Sequence, residues 1–247
     1  MPHLPRALLL LILAILTGCK LGRDPQNLSY ASFMSNRYGT PAQDSGSWTD
    51  SVGTLSEACV RSEIDVHDQP HLLLAVCSKP SDASHTTEGL VDLYVLRGSW
   101  DDFVVAAETT GIASGSNGNP GDVRALRLGV NFYGFEIRGG YLGQGQYVEN
   151  TSWYAPSRSN GIHLVYQATS LDDGRGTLEC VDDSLACAME SRLASIDSSR
   201  IGLRTFPVQL VDTLLRRGTI RQRSTRIEFD KNKWSYPTPK MLSEESE

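Results

Sequence analysis

The chain has 247 residues, with 23 basic against 29 acidic side chains and a formal net charge of −6. That balance excludes a general nucleic-acid binder, which needs a basic surface to hold phosphates, and it suits a basic partner. The length supports one well-buried domain once a signal and a tether are set aside.

Arg6 precedes an unbroken apolar run from Ala7 to Leu16. Such a run is too short for a bilayer core, which takes about 20 apolar residues. A positive start, a short apolar centre and small residues before a break are the plan of a secretory signal, residues 1–18. The break itself, Leu16-Thr17-Gly18-Cys19, resembles the lipobox of bacterial lipoproteins. The resemblance implies cleavage before Cys19, a lipid on its thiol and an acylated amino terminus. Each buried methylene adds about 0.8 kcal/mol, so several acyl chains anchor a protein durably. Residue 20 is Lys rather than the Asp that tends to mark inner-membrane retention in such lipoproteins. The resemblance therefore implies the outer membrane, facing the periplasm. Loss of Arg6 with the signal leaves 22 basic and 29 acidic residues, a net of −7.

Residues 19–55 read as lipid anchor and tether, polar and rich in Ser, Gly, Asn and Pro without a sustained period. Tyr30, Phe33, Tyr38 and Trp48 are the exceptions, large rings suited to packing on a domain. The segment 56–230 reads as one β-rich domain, and 231–247 as a frayed acidic tail.

Within the domain, "HLLLAVCS", "LVDLYVLRG" and "DFVVAAE" are short apolar runs bounded by turn residues, hence strands. Leu126 and Leu128 share one face, as do Tyr133, Phe135 and Ile137, with Gly129 and Asn131 placed for a hairpin turn. "GIHLVYQAT" alternates Ile162, Leu164 and Tyr166 inward against His163 and Gln167 outward. "TIRQRSTRIEF" closes the domain as a polar edge strand. Two segments, 188–198 and 206–217, satisfy both helical and strand spacing. No fixed repeat occurs. The pattern predicts a mainly β chain: a single antiparallel β-sandwich or barrel-like domain with one or two short helices and two disulfides.

With Cys19 lipidated, Cys59, Cys77, Cys180 and Cys187 remain, an even number in an exported protein. Three pairings exist on paper. Nearness in sequence favours Cys59–Cys77 and Cys180–Cys187, the second closing the tip of a hairpin around "VDDSLA". No C-x-x-C spacing points to zinc, and neither a metal nor another cofactor is expected.

Catalytic motifs are scarce. Neither G-x-S-x-G nor H-E-x-x-H occurs, and Pro70 breaks any helix that would align His67 with His71. The acid doublets Asp101-Asp102, Asp172-Asp173 and Asp182-Asp183 sit beside turn residues, where Asp accepts local backbone bonds. Strand neighbours point to opposite faces, so no doublet makes an acid/base pair by itself. A serine hydrolase would draw on Ser114 or Ser116 with His163 and an Asp. Arg216, Arg217, Arg221, Arg223 and Arg226 suit a charged edge strand that blocks sheet-to-sheet aggregation.

"GGYLGQGQY", residues 139–147, is glycine-rich but opens no helix, which argues against a phosphate loop. Gly145-Gln146-Tyr147 resembles the Ser-Gly-x-x-Tyr loops of periplasmic lysozyme inhibitors, small β-rich proteins that push a loop into the enzyme's cleft. Ser114-Gly115-Ser116 is a second such stretch, though no Tyr follows at the matching distance. Tyr and Trp are favoured interface anchors, so the candidate partner-binding residues are Tyr141, Gln144, Gln146, Tyr147, Trp153 and Tyr154. The expected function is a lipid-anchored, non-catalytic protein-binding module of the envelope. Its most concrete form is an inhibitor or immunity protein against a cell-wall or membrane hydrolase, with a basic secreted hydrolase as partner. A serine-type hydrolase and a glycan- or lipid-binding lipoprotein are the alternatives.

Overall fold

The computed structural model describes residues 27–42, 46–157, 159, 161–200 and 202–245. Cys19 and the lipobox-like stretch lie outside the described residues. The chain is mainly β, built on two antiparallel sheets, two short helices and both expected disulfides. The first sheet follows α1 (Tyr30–Tyr38) and runs β1 (Thr40–Pro41), β2 (Ser47–Thr49), β3 (Leu55–Val66), β4 (Gln69–Lys79), β5 (Gly89–Ser99) and β6 (Asp102–Ser114). The second opens with β7 (Asp122–Gly129), β8 (Phe132–Gly143), β9 (Gln146–Pro156) and β10 (Ile162–Asp173). After α2 (Leu178–Asp182) and a 3₁₀ turn at Ser184–Ala186 it continues through β11 (Ala188–Ile196), β12 (Val208–Arg216) and β13 (Thr219–Ile227). In both sheets every hydrogen-bonded neighbour is also the neighbour in sequence.

Turn chemistry sets this meander. The two-residue hairpin turns His67-Asp68, Gln144-Gly145 and Arg217-Gly218 all have positive φ at both positions. That conformation matches the right-handed twist of the strands it joins.

Alternating side chains then build three apolar layers. Leu73, Val91, Leu93 and Val95 of the first sheet meet Phe135 and Ile137 of the second. On the outer face of the first sheet, Leu72, Leu74, Tyr94 and Leu96 lie under Phe33, Met34, Tyr38 and Trp48. On the far face of the second, Trp153, Tyr166, Val208 and Leu210 lie with Phe229 and Tyr236.

The described parts of the expected tether and tail thus belong to the fold. Ser29 caps α1 in a capping box with Ser32, and the Tyr38 hydroxyl lies 2.6 Å from that of Tyr94. At the other end, the Tyr236 amide donates to the Val165 carbonyl (2.7 Å) and Arg192 donates to the carbonyl of Pro239 (2.9 Å). Both segments are polar on average but place aromatic rings over an open apolar face, and burying those rings outweighs the average composition.

Two local expectations also change. A bulge between Leu164 and Tyr166 breaks the alternation: Tyr166 joins the far face with Trp153, and Leu164 is 43% exposed. Cys180–Cys187 does lie at the tip of a hairpin, between β10 and β11, but that tip is helical: Leu178–Asp182 forms α2, capped by the Thr177 side chain. The two ambiguous segments are strands β11 and β12, paired over their whole length from Ala188↔Arg216 to Ile196↔Val208.

Candidate partner-binding surface

The β8–β9 hairpin divides the six candidate residues. Its I′-type turn carries Gln144 and Gly145 at φ 52° and 79°, and just before it Tyr141 is 53% and Leu142 71% exposed. Gln146 donates to the Asp172 carboxylate of β10 (2.6 Å), tying the turn to the neighbouring strand. Tyr147 is half-buried against Gly140, where any Cβ would meet its hydroxyl oxygen at 2.5 Å. Burial, and then the Glu149 carboxylate, push the Tyr147 phenol above its ordinary pKa.

Trp153 and Tyr154 are not at the surface site. Trp153 is 1% exposed and donates its indole N–H to Glu136 (2.8 Å), while Tyr154 packs into the layer between the sheets. Farther along β9 from the turn, alternation sends one ring to each covered face of the sheet.

The hairpin adjoins a second exposed segment, the loop closed by Cys180–Cys187. Gly145 lies against Gly176, with backbone so close that a Cβ at Gly145 would sit 1.9 Å from the Gly176 carbonyl oxygen. From there α2 and the 3₁₀ turn present Leu178, Val181 and Leu185, at 79%, 71% and 60% exposed, while Cys180 turns inward. The spacing 178, 181, 185 with the cysteine on the opposite side is a helical signal, masked in sequence by the shortness of the element. Across this end of the second sheet stand the β8–β9 hairpin, the α2 loop and the β12–β13 hairpin, in the order of the strands.

The alternative serine trio does not assemble. Ser116 donates to the Gly140 carbonyl (3.1 Å), and the Ser114 hydroxyl lies close against Gly139. The His163 imidazole instead pairs with Ser159 (3.2 Å). His163 is level with Ala155 and Gly139 with Asn150, a separation of roughly 16 Å at about 3.3 Å per residue. A triad needs contacts near 3 Å.

Other ionisable groups are engaged structurally. His71 pairs with the Gln69 carbonyl (3.0 Å) and His67 with Asn131 (3.2 Å). Asp173 pairs with Arg175 at 2.6 Å, and Asp183 accepts from the Leu185 amide. Among the described residues no group of three His, Cys, Asp or Glu is placed to hold a metal ion. Of the late arginines, Arg223 bonds Asp212 (2.6 Å) and Arg226 bonds Asp197 (2.8 Å), whereas Arg216, Arg217 and Arg221 line an open hollow at the β12–β13 hairpin.

A cavity of about 240 Å³ opens where β10 and β11 part, lined among others by Arg138, Glu149, Tyr166 and Arg192. Its charges are spoken for: Arg138 pairs with Glu136 (2.8 Å) and Arg192 with Asp212 (2.6 Å). Burial outweighs the nearby Arg192 cation and pushes the Tyr166 phenol up to about 12.

No protein family, no curated protein and no solved structure matches this chain.

Proposed function

We propose that this chain is an envelope lipoprotein whose β domain binds another protein and does no chemistry, acting as an inhibitor or immunity protein against a cell-wall or membrane hydrolase. The observation that supports it most is the β8–β9 hairpin, which holds Tyr141 and Leu142 out of the sheet end at 53% and 71% exposure. A large amphipathic ring on a rigid strand pair is the anchor that protein interfaces favour, because little side-chain freedom is lost on binding. The lipobox supplies the address, and the net charge of −6 favours a basic target.

The test is a peptidoglycan-hydrolysis assay with the full chain added to a panel of basic muramidases and an amidase. Stoichiometric slowing of at least one enzyme is expected. Hydrolytic activity of the chain itself, lost in Ser116→Ala or His163→Ala, would overturn the reading.

A further inference from the structure

We propose that the disulfide-closed loop from Thr177 to Cys187 is the second half of this interface, an apolar knob that seats in a cleft lined by basic side chains on the partner protein. This rests on the protein-binding reading above and names the partner's complementary surface.

Three things make the loop a built surface. First, it is ordered from within: Thr177 accepts from the Cys180 amide at 3.4 Å, Asp183 accepts from the Leu185 amide at 2.9 Å, and Cys180 is bonded to Cys187. Second, with Cys180 bonded and buried, Leu178, Val181 and Leu185 face solvent. Single exposed apolar residues need no explanation, but three in one short loop, tied through Gly176 to the turn that follows Tyr141 and Leu142, are a cluster of the kind that marks interaction sites. Third, the loop cannot drift from the hairpin, since Gly145 and Gly176 touch through their backbones and Gln146 is bonded to Asp172. The two parts therefore bind as one preorganised surface.

Charge selects the occupant. Glu179 and Asp182 flank the apolar cluster and form no ion pair with a described residue. Asp172, Asp173 and Asp183 add to the negative field, against Arg175 alone within the segment 172–183. An anionic lipid surface would repel this loop, whereas a basic protein cleft complements it. Arg216, Arg217 and Arg221 belong to the next hairpin, on the side of the loop away from Tyr141. A basic partner must cover the first two segments and leave this one uncovered.

The decisive experiment measures dissociation constants of the full chain for the panel of basic muramidases and the amidase, together with melting temperature. Leu178→Ser/Val181→Ser/Leu185→Ser should weaken binding at least tenfold with the melting temperature unchanged. Val181→Ser alone, the mildest variant, should weaken it at least threefold. Arg217→Glu should leave binding equal or tighter. Unchanged affinity in the triple variant, with Tyr141→Ala still weakening it, would overturn the knob and leave the hairpin reading standing. No binding to any enzyme of the panel would overturn both. A tenfold loss in Arg217→Glu would overturn the basic cleft. Two further arms name rival occupants: binding to phosphatidylglycerol vesicles, or dimers in sedimentation, either abolished by the triple variant, would overturn the protein-cleft proposal.

Discussion

Gly145 and Gly176 meet backbone against backbone: a Cβ at Gly145 would sit 1.9 Å from the Gly176 carbonyl oxygen, and one at Gly176 would sit 2.5 Å from the Gly145 carbonyl oxygen. Gly145 also has φ +79°, a conformation that costs an L side chain energy even where space is free. Gly145→Ala should therefore destabilise the sheet end by about 1–3 kcal/mol and part the hairpin from the α2 loop. Hydrogen exchange checks this: faster exchange should be confined to the turn at 144–145 and the segment 174–187.

Arg192 and Asp212 form the most deeply buried ion pair described, at 2.6 and 3.0 Å with 1% and 0% of their side chains exposed. Arg223 adds a third bond at 2.6 Å, and Arg192 also holds the carbonyls of Pro239 and Lys240. Asp212→Ala leaves a buried cation and should cost about 3–5 kcal/mol. It should also loosen the C-terminal segment, seen as faster tryptic cleavage after Lys240.

The same pair sets an acid limit. Burial raises the Asp212 carboxyl, but hydrogen bonds and charge from Arg192 and Arg223 outweigh it and hold the pKa below its ordinary value. Its contribution is fully present above the unfolded-state value of about 3.9 and is lost as pH falls through the lower native value. Thermal unfolding followed from pH 6 downward should show stability falling in that acid range. A pH profile there unchanged by Asp212→Asn would contradict this.

The N-terminal segment is held by apolar contact. Phe33 meets the Tyr94 and Phe103 rings at 5.0 and 5.6 Å, and Arg37 lies over both Phe33 and Tyr94. Phe33→Ala should cost about 3–5 kcal/mol. Removing residues 27–49 should uncover Leu72, Leu74 and Leu96, which a rise in binding of a hydrophobic dye would report.

The mainly β class, its antiparallel strands and the disulfides were legible because they rest on local signals. Apolar runs between turn residues mark strands, and Cys59 lies near Cys77 as Cys180 lies near Cys187. What was illegible depends on distant partners. Phe33 and Tyr236 sit in polar stretches whose covering role appears only when the sheets supply bare faces. Trp153 and Tyr147 belong to one strand, yet only the register with β8 shows that Trp153 is core and Tyr147 edge. Leu178, Val181 and Leu185 gave too short a helical pattern to separate from a loop. The bulge at Val165, which sends Tyr166 to the opposite face, left no mark in the residue types.

Cys19→Ser should abolish lipid labelling and release the protein from the membrane fraction to the soluble periplasm. Fractionation after labelling with a radioactive fatty acid measures this, and unchanged membrane association would contradict the anchor.

The central claim, binding without chemistry, is tested most directly by titrating Tyr141→Ala and the unaltered chain into the most strongly inhibited hydrolase of the panel by calorimetry, with melting temperatures recorded in parallel. Tyr141 is exposed, so its loss should leave the melting temperature within roughly 1 °C, as surface substitutions do. As an interface anchor it should cost about 2 kcal/mol or more in binding, near a thirtyfold rise in dissociation constant. An unchanged dissociation constant, or a hydrolytic activity of the chain that disappears with Ser114→Ala, Ser116→Ala or His163→Ala, would contradict the account.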